Sequence, residues 1–288
     1  MSWWAGHMSV CKKGGPLENF IKSLAPEAVI VEADGMVVSG PGLPNEHEYP
    51  EAPIVCMLCT RVPKPNMLLM PLDDATFLFG LNLRGPEWNR RLPIAFWRGG
   101  ASGFEVPSTR VRVVETLIDH PNADVKITPW YNWEDGKNIP PQFFGNRCEI
   151  ATHLYYKYIL IVDGNCIASS HQWVFGSGSV PIMVTHPDND YWFKRYLKPM
   201  VHYVPIQYDL SDLAEKITWL VEHDDEAKKI ADNAMAFSKL FFSPEFQRNH
   251  LIAEIGRIRQ CMNGTGSPEK ASPLPEWDPL KMAPGPSG

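Results

Sequence analysis

The chain has 288 residues, 44% hydrophobic and 21% charged, with a formal net charge of -6, the profile of a soluble globular protein of one large or two small domains. The acidic balance excludes a general nucleic-acid binder, although a local basic pocket can still hold a phosphate. No apolar run reaches the ~20 residues of a membrane-spanning helix, and the first fifteen residues lack a continuous apolar h-region. The expectation is a reduced, cytoplasmic protein with no membrane span. Six scattered cysteines fit that compartment; Cys56 and Cys59 form a C-x-x-C inside PIVCMLCT, which reads as a buried strand rather than as a zinc or redox motif.

In chain order, residues 17–24 make a short amphipathic helix, and 28–31 and 36–38 are short strands. Residues 39–50 form a turn-rich loop carrying Glu46, His47 and Glu48, and 54–59 is a further strand. Polar residues 84–91 mark a hinge. Residues 92–97, LPIAFW, read as a strand running into Arg98-Gly99-Gly100-Ala101-Ser102-Gly103. A helix over 109–120 follows, with Val111, Val114, Leu117 and Ile118 on one face, then a strand at 125–127 and a helix over 147–156. After 185, an aromatic segment (191–196), a strand (201–205) and three helices follow. These run from 209 to about 223, with Ser211 or Asp209 as cap and Glu215 completing a capping box, then over 225–241 and 244–261. Residues 263–288 read as tail.

Residues 157–184, KYILIVDGNCIASSHQWVFGSGSVPIMV, organise the chain. An apolar β-branched strand (157–162) breaks at Gly164, a helix over 168–175 follows with Ser169 and Ser170 as N-capping hydroxyls, and 180–184 is the next strand. This is a βαβ unit of an open parallel sheet, and in such sheets ligands bind beyond the carboxyl ends of the strands. Residues 163–172 are expected to line that crevice. The Arg98–Gly103 turn lies at a second strand end. Its glycines permit close approach of backbone to phosphate, Arg98 adds a permanent charge, and Arg110 opens the next helix. Together these suit a diphosphate, with His171 and Gln172 as further donors; each taken alone reads equally as a structural residue.

Among acidic residues, Asp73 and Asp74 in MLLMPLDDATFLFG have an apolar setting that raises a carboxyl pKa toward general-base duty, and equally fit a turn or cap. Glu46 and Glu48 are rival bases. Asp188-Asn189-Asp190 has a metal-binding D-x-D shape but sits in a turn-forming context. No hydrolase triad or zinc-ligand spacing is present.

FWRGG, the arginine-bearing helix, YKYILIVDGNCIASS, GSGSVPIMV and LKPMVHYVPIQYDLSDL, in this order and spacing, resemble glycosyltransferase family 90, which includes the protein O-glucosyltransferases, fungal capsule-associated proteins and shorter viral enzymes. The similarity runs from about Leu92 to about Leu240. It implies an α/β, GT-B-type fold of two Rossmann-like domains with parallel sheets and a cleft between them. The expected division is an acceptor-side domain over 1–88, a UDP-sugar-binding domain over 89–242, a helix over 243–262 returning to the first domain, and a tail over 263–288. The resemblance implies inverting, metal-independent transfer of xylose or glucose from UDP-xylose or UDP-glucose, a substrate rather than a cofactor, to a glycan hydroxyl. By position it assigns Arg98, Gly99, Gly100, Ser102, Arg110, Ser169, Ser170, His171 and Gln172 to the donor. Gly100 stands where the family has serine, and Ser170 where it has a second arginine. The family's aspartate after an N-terminal strand has no counterpart in MVVSGPGLP, so Asp73, with Asp74, is chosen as base on local context alone. The alternative is a catalytically inactive nucleotide- or glycan-binding relative.

Overall fold

The computed structural model describes residues 14–30, 52–61, 63–71, 83, 85–103, 105–129, 139–164 and 167–265. These divide into two compact units. One takes the described residues of Gly6–Leu81, Asp190–Leu197 and Ala236–Gly288, the other those of Asn82–Asn189 and Lys198–Met235. Each unit is therefore discontinuous in sequence; the sequence reading drew domains over 1–88 and 89–242, with only a helix over 243–262 returning to the first. The returning pieces are aromatic: Phe193, Phe237 and Phe242 are almost fully buried, and Phe193 packs edge-on against Phe242.

The first unit begins with α1 (Pro16–Leu24), whose Leu17 and Ile21 are fully buried. β1 (Val29–Ile30), β2 (Val55–Met57) and β4 (Met67–Leu69) form a parallel three-stranded sheet in the order β1-β2-β4. Between them β3 (Cys59–Thr60) is a separate short strand, so the expected strand over 54–59 is broken at Leu58. Cys56 and Cys59 are both fully buried.

The second unit holds β5 (Leu92–Gly99), α2 (Thr109–Leu117), β6 (Ala123–Ile127), α3 (Ile150–His153), β7 (Tyr156–Val162), α4 (His171–Val174) and β8 (Val180–Val184). β9 (Asp190–Tyr191) then pairs antiparallel with β3 in the first unit, before β10 (Val204–Pro205) and α5 (Leu213–Glu222) complete the second. All five strands of its sheet run parallel, in the order β10-β8-β7-β5-β6. β7 and β8 are buried almost throughout, as expected of central strands covered on both faces. The fully buried Tyr158 of β7 donates its hydroxyl to the Leu220 carbonyl of α5 at 2.8 Å. α6 (Asp224–Phe241) starts in this unit and ends in the other, where α7 (Pro244–Met262) packs on β4 and α1. Two parallel sheets with helices give the α/β class expected from the sequence. No helix among the described residues is long and apolar enough to cross a membrane.

Three helix starts differ from the sequence reading. The expected 147–156 helix is only α3, because Tyr156 already belongs to β7. α5 begins at Leu213 without a side-chain cap, since Asp209 accepts from the Ser211 amide and hydroxyl and Asp212 from the Gln207 amide. α4 is four residues long, and Ser170 makes no capping bond. The carboxylate of Asp163 takes the Ala168 amide instead, at 2.9 Å.

Candidate functional site

The strand order places a topological switch at β5. From it the chain moves through α2 to β6 on one side, then returns to β7, β8 and β10 on the other. The loops leaving β5 and β7 therefore diverge, and their separation opens the crevice in which open parallel sheets bind ligands. Arg110, second residue of α2, reaches into this gap. Its Nε and Nη2 donate to the Val162 carbonyl at the end of β7, at 3.1 and 3.0 Å. Its Nη1 donates to the Gly100 carbonyl just beyond β5, at 3.3 Å, and to Ser102 Oγ, at 2.8 Å. α2 itself is fixed by Ser108, whose hydroxyl accepts from the Val111 amide. Burial lowers the Arg110 guanidinium to about 10, opposed by the charge of Asp163, so it is a cation at neutral pH. The result is a fixed positive charge bridging the two strand ends.

Asp163 directly follows β7 and ties the neighbouring loops together. Besides Ala168, its carboxylate accepts from the Thr185 hydroxyl and, at 2.9 Å, from the Asn189 amide. Burial raises its pKa against the effect of those bonds and of Arg110. The sequence placed Asp163 in the crevice but not at the centre of this network; a lone aspartate at a strand end ahead of glycine is the signal that was available.

Gly164 leaves little room for a side chain. A Cβ there would stand 2.6 Å from Ser102 Oγ and 3.1 Å from Arg110 Cζ. Ser102 can rotate, but the guanidinium is held by three acceptors. Gly164→Ala is expected to cost about 1–3 kcal/mol through overpacking, read as a lower urea midpoint; an unchanged midpoint would contradict this close approach. Gly99 is constrained differently: a Cβ there would lie 2.4 Å from the Trp97 ring.

The remaining expected residues divide. Ser102 and the Gly100 carbonyl join Arg110. Arg98 does not, because its Nη1 donates to the Trp97 and Asp124 carbonyls and its Nη2 to Asp124 Oδ1 at 2.7 Å, with the guanidinium 4.4 Å over Phe96. It faces β6, away from the gap. Ser169 and Ser170 lie in the turn before α4, half-buried, while His171 and Gln172 are almost completely buried in α4, which packs on β7 and β8. Asp73, Asp74, Glu46 and Glu48 lie outside the described residues. In the D-x-D, Asn189 turns to Asp163 and Asp190 opens β9. Among the described residues no group of three or more His, Cys, Asp or Glu side chains could hold a metal ion.

Burial lowers His171 to about 3, so it is neutral at pH 7 and offers a diphosphate no charge. The unfolded chain binds this proton near pH 6.5. The folded chain binds it only far below, so the stability contribution is full above 6.5 and is lost as pH falls. His153, His202 and His250, each lowered by burial to about 4, act in the same direction. Between pH 6 and 5, His171 alone should remove about 1 kcal/mol. Urea titrations of the wild type and His171→Gln should differ in pH slope by that amount, and equal slopes would refute the assignment.

A second network at the same edge was not legible in the sequence. Tyr208, beyond β10, donates to Glu105 Oε1 at 2.6 Å, and Thr109 and Arg112 of α2 donate to Oε2 at 3.1 and 2.9 Å. Burial resists ionisation of Glu105, and these bonds with the Arg112 charge outweigh it, leaving the carboxyl below its ordinary range. The loops after β5 and β10 are thereby joined.

Residues 80–245, which contain the whole switch-point arrangement, match the sequence profile of Glycosyl transferase family 90. The chain belongs to this family. It is 31% identical over 173 residues to Protein O-glucosyltransferase 2 of Danio rerio, covering 59% of this chain and 31% of that protein. O-glucosyltransferase LpsA of Dichelobacter nodosus is 26% identical over 180 residues, 62% of this chain and 53% of its own. Uncharacterized protein 179R of Invertebrate iridescent virus 6 is 29% identical over 196 residues, 55% of this chain and 16% of its own. The chain thus spans about half or less of the length of these relatives. Among solved structures, the GtfA/B complex has a TM-score of 0.42 at 12% identity, over 69% of this chain and 41% of that one. Sucrose-phosphate synthase from Thermosynechococcus elongatus has 0.42 at 10%, over 70% and 54%. The fold of this family-90 chain rests on its own two parallel sheets, not on these likenesses.

Proposed function

We propose that this chain is a UDP-sugar-dependent, inverting glycosyltransferase that moves xylose or glucose to a hydroxyl of a glycan acceptor without a metal. The observation that carries the reading is Arg110, a cation fixed at the switch point between the β5 and β7 strand ends. Membership of family 90 and the named O-glucosyltransferases among its relatives support it. In the reaction a base takes the acceptor proton, the acceptor oxygen forms a bond to the anomeric carbon from the face opposite the diphosphate, and the bond to UDP breaks. Negative charge then grows on the β-phosphate oxygen. A fixed cation near that oxygen stabilises the transition state more than the ground state. Asp73 is the candidate base, with Asp74 beside it.

The test is UDP release from UDP-xylose and UDP-glucose with and without EDTA, with glycosides as acceptors. We expect EDTA-insensitive release, and Asp73→Asn should lower turnover by 10²–10⁴-fold, the range of general-base contributions, while UDP affinity is kept. Unaltered turnover in Asp73→Asn would remove that residue from the mechanism. The absent carboxylate in MVVSGPGLP and Ser170 in place of an arginine favour a second reading, a binding-only relative. UDP binding with no release under any condition would select it.

A further inference from the structure

Away from the switch point, wholly inside the first unit, lies a cavity of about 340 Å³. The proline-punctuated connection from β3 to β4 forms one wall, the Asp190–Arg195 stretch another, and one face of α7 the third. His250, Glu254 and Arg257, at spacings of four and three, share that face. Glu254 is gripped from both sides: Arg195 Nη2 donates to its Oε1 at 2.8 Å and Arg257 Nε to its Oε2 at 2.9 Å. Burial opposes its ionisation, and the two arginines outweigh burial and hold it below its usual range.

One carboxylate does not satisfy two guanidinium groups. Arg195 Nε is buried with no hydrogen-bond partner among the described residues, and Arg257 hydrogen-bonds there through Nε alone. His250 supplies no counter-charge: burial first, then the Arg195 charge, lower it to about 4, and its Nδ1 lies 3.3 Å from Arg195 Nη2. Lys64 and Asp190 also line the cavity. Trp192 and the two prolines, Pro63 and Pro65, supply apolar wall.

We propose that this cavity is a binding site for a small anionic ligand of monosaccharide size, whose carboxylate or phosphate pairs with Arg257 and Arg195 while its ring lies against Trp192 and Pro65. Planar guanidinium forks match either anion, and the volume falls within the ordinary range of small-molecule pockets. The proposal goes beyond the UDP-sugar reading and does not depend on it.

The experiment is a calorimetric titration of the full chain with glucose, glucuronate and glucose 6-phosphate, repeated on Arg257→Gln, Lys64→Gln and Arg110→Ala. At least one anionic sugar should bind tenfold or more tighter than glucose, and the tighter one identifies the anion. That binding should weaken at least tenfold in Arg257→Gln and measurably in Lys64→Gln, which carries the test if Arg257→Gln does not fold. It should persist in Arg110→Ala. No preference for the anions over glucose, or unchanged binding in Arg257→Gln and Lys64→Gln, would overturn the proposal. Anion binding that vanishes in Arg110→Ala and survives in Arg257→Gln would place it at the switch point and overturn it equally.

Discussion

Arg110→Ala is expected to weaken UDP binding by about 10- to 150-fold, the equivalent of one hydrogen bond to a charged group at about 1.5–3 kcal/mol. The arginine is anchored before any ligand arrives, through Val162, Gly100 and Ser102, so little ordering entropy opposes its use. Arg110→Lys should recover little of the loss. An ammonium is a point donor and cannot hold both strand-end carbonyls while keeping its charge in the gap. Arg98→Ala separates the two roles. Its guanidinium is occupied by Asp124 and Phe96 on the β6 side, so it should lower the melting temperature and leave the UDP affinity nearly unchanged. A calorimetric titration of the three variants reads the affinity, and a scanning-calorimetry run on each reads the melting temperature. UDP affinity lost in Arg98→Ala and retained in Arg110→Ala would reverse the assignment.

Asp163→Ala is expected to cost about 3–5 kcal/mol of stability, the range for removing one partner from a buried charged network. The carboxylate itself is not the source, since burial raises its pKa and folding disfavours its charged form. The loss comes from what remains: the Ala168 amide, the Thr185 hydroxyl, the nearly inaccessible Asn189 amide and the Arg110 charge would all lose their acceptor or counter-charge. Asp163→Asn retains the shape and one acceptor oxygen, so its cost should be well under half as large. For a chain of this size, Asp163→Ala should melt roughly 6–20 °C lower. A shift under 2 °C would show that the loops after β7 and β8 are held by other contacts.

The apolar strands were legible in the sequence because a strand covered on both faces must be a continuous hydrophobic run: YILIV and VPIMV in β7 and β8 could hardly be anything else. α2, α6 and α7 were legible through their 3.6-residue periodicity. Helix starts were not, because several acidic and hydroxyl residues could each have capped. Asp163, Asp209 and Asp212 are taken by loop amides, and only the folded chain reveals which. At the site, the sequence set Arg98 and Arg110 side by side as strand-end cations. The folded chain separates them, with Arg98 over β6 and Arg110 at the gap between β5 and β7. Strand order explains why a glycine at 164 serves an arginine more than fifty residues earlier.

The most direct measurement is isothermal titration of the wild-type chain with UDP, with and without EDTA, and with NAD as control. A single UDP site, insensitive to EDTA, absent for NAD and lost in Arg110→Ala is the predicted result. No binding of UDP, or binding equal in the wild type and Arg110→Ala, would contradict a donor diphosphate at the β5–β7 switch point.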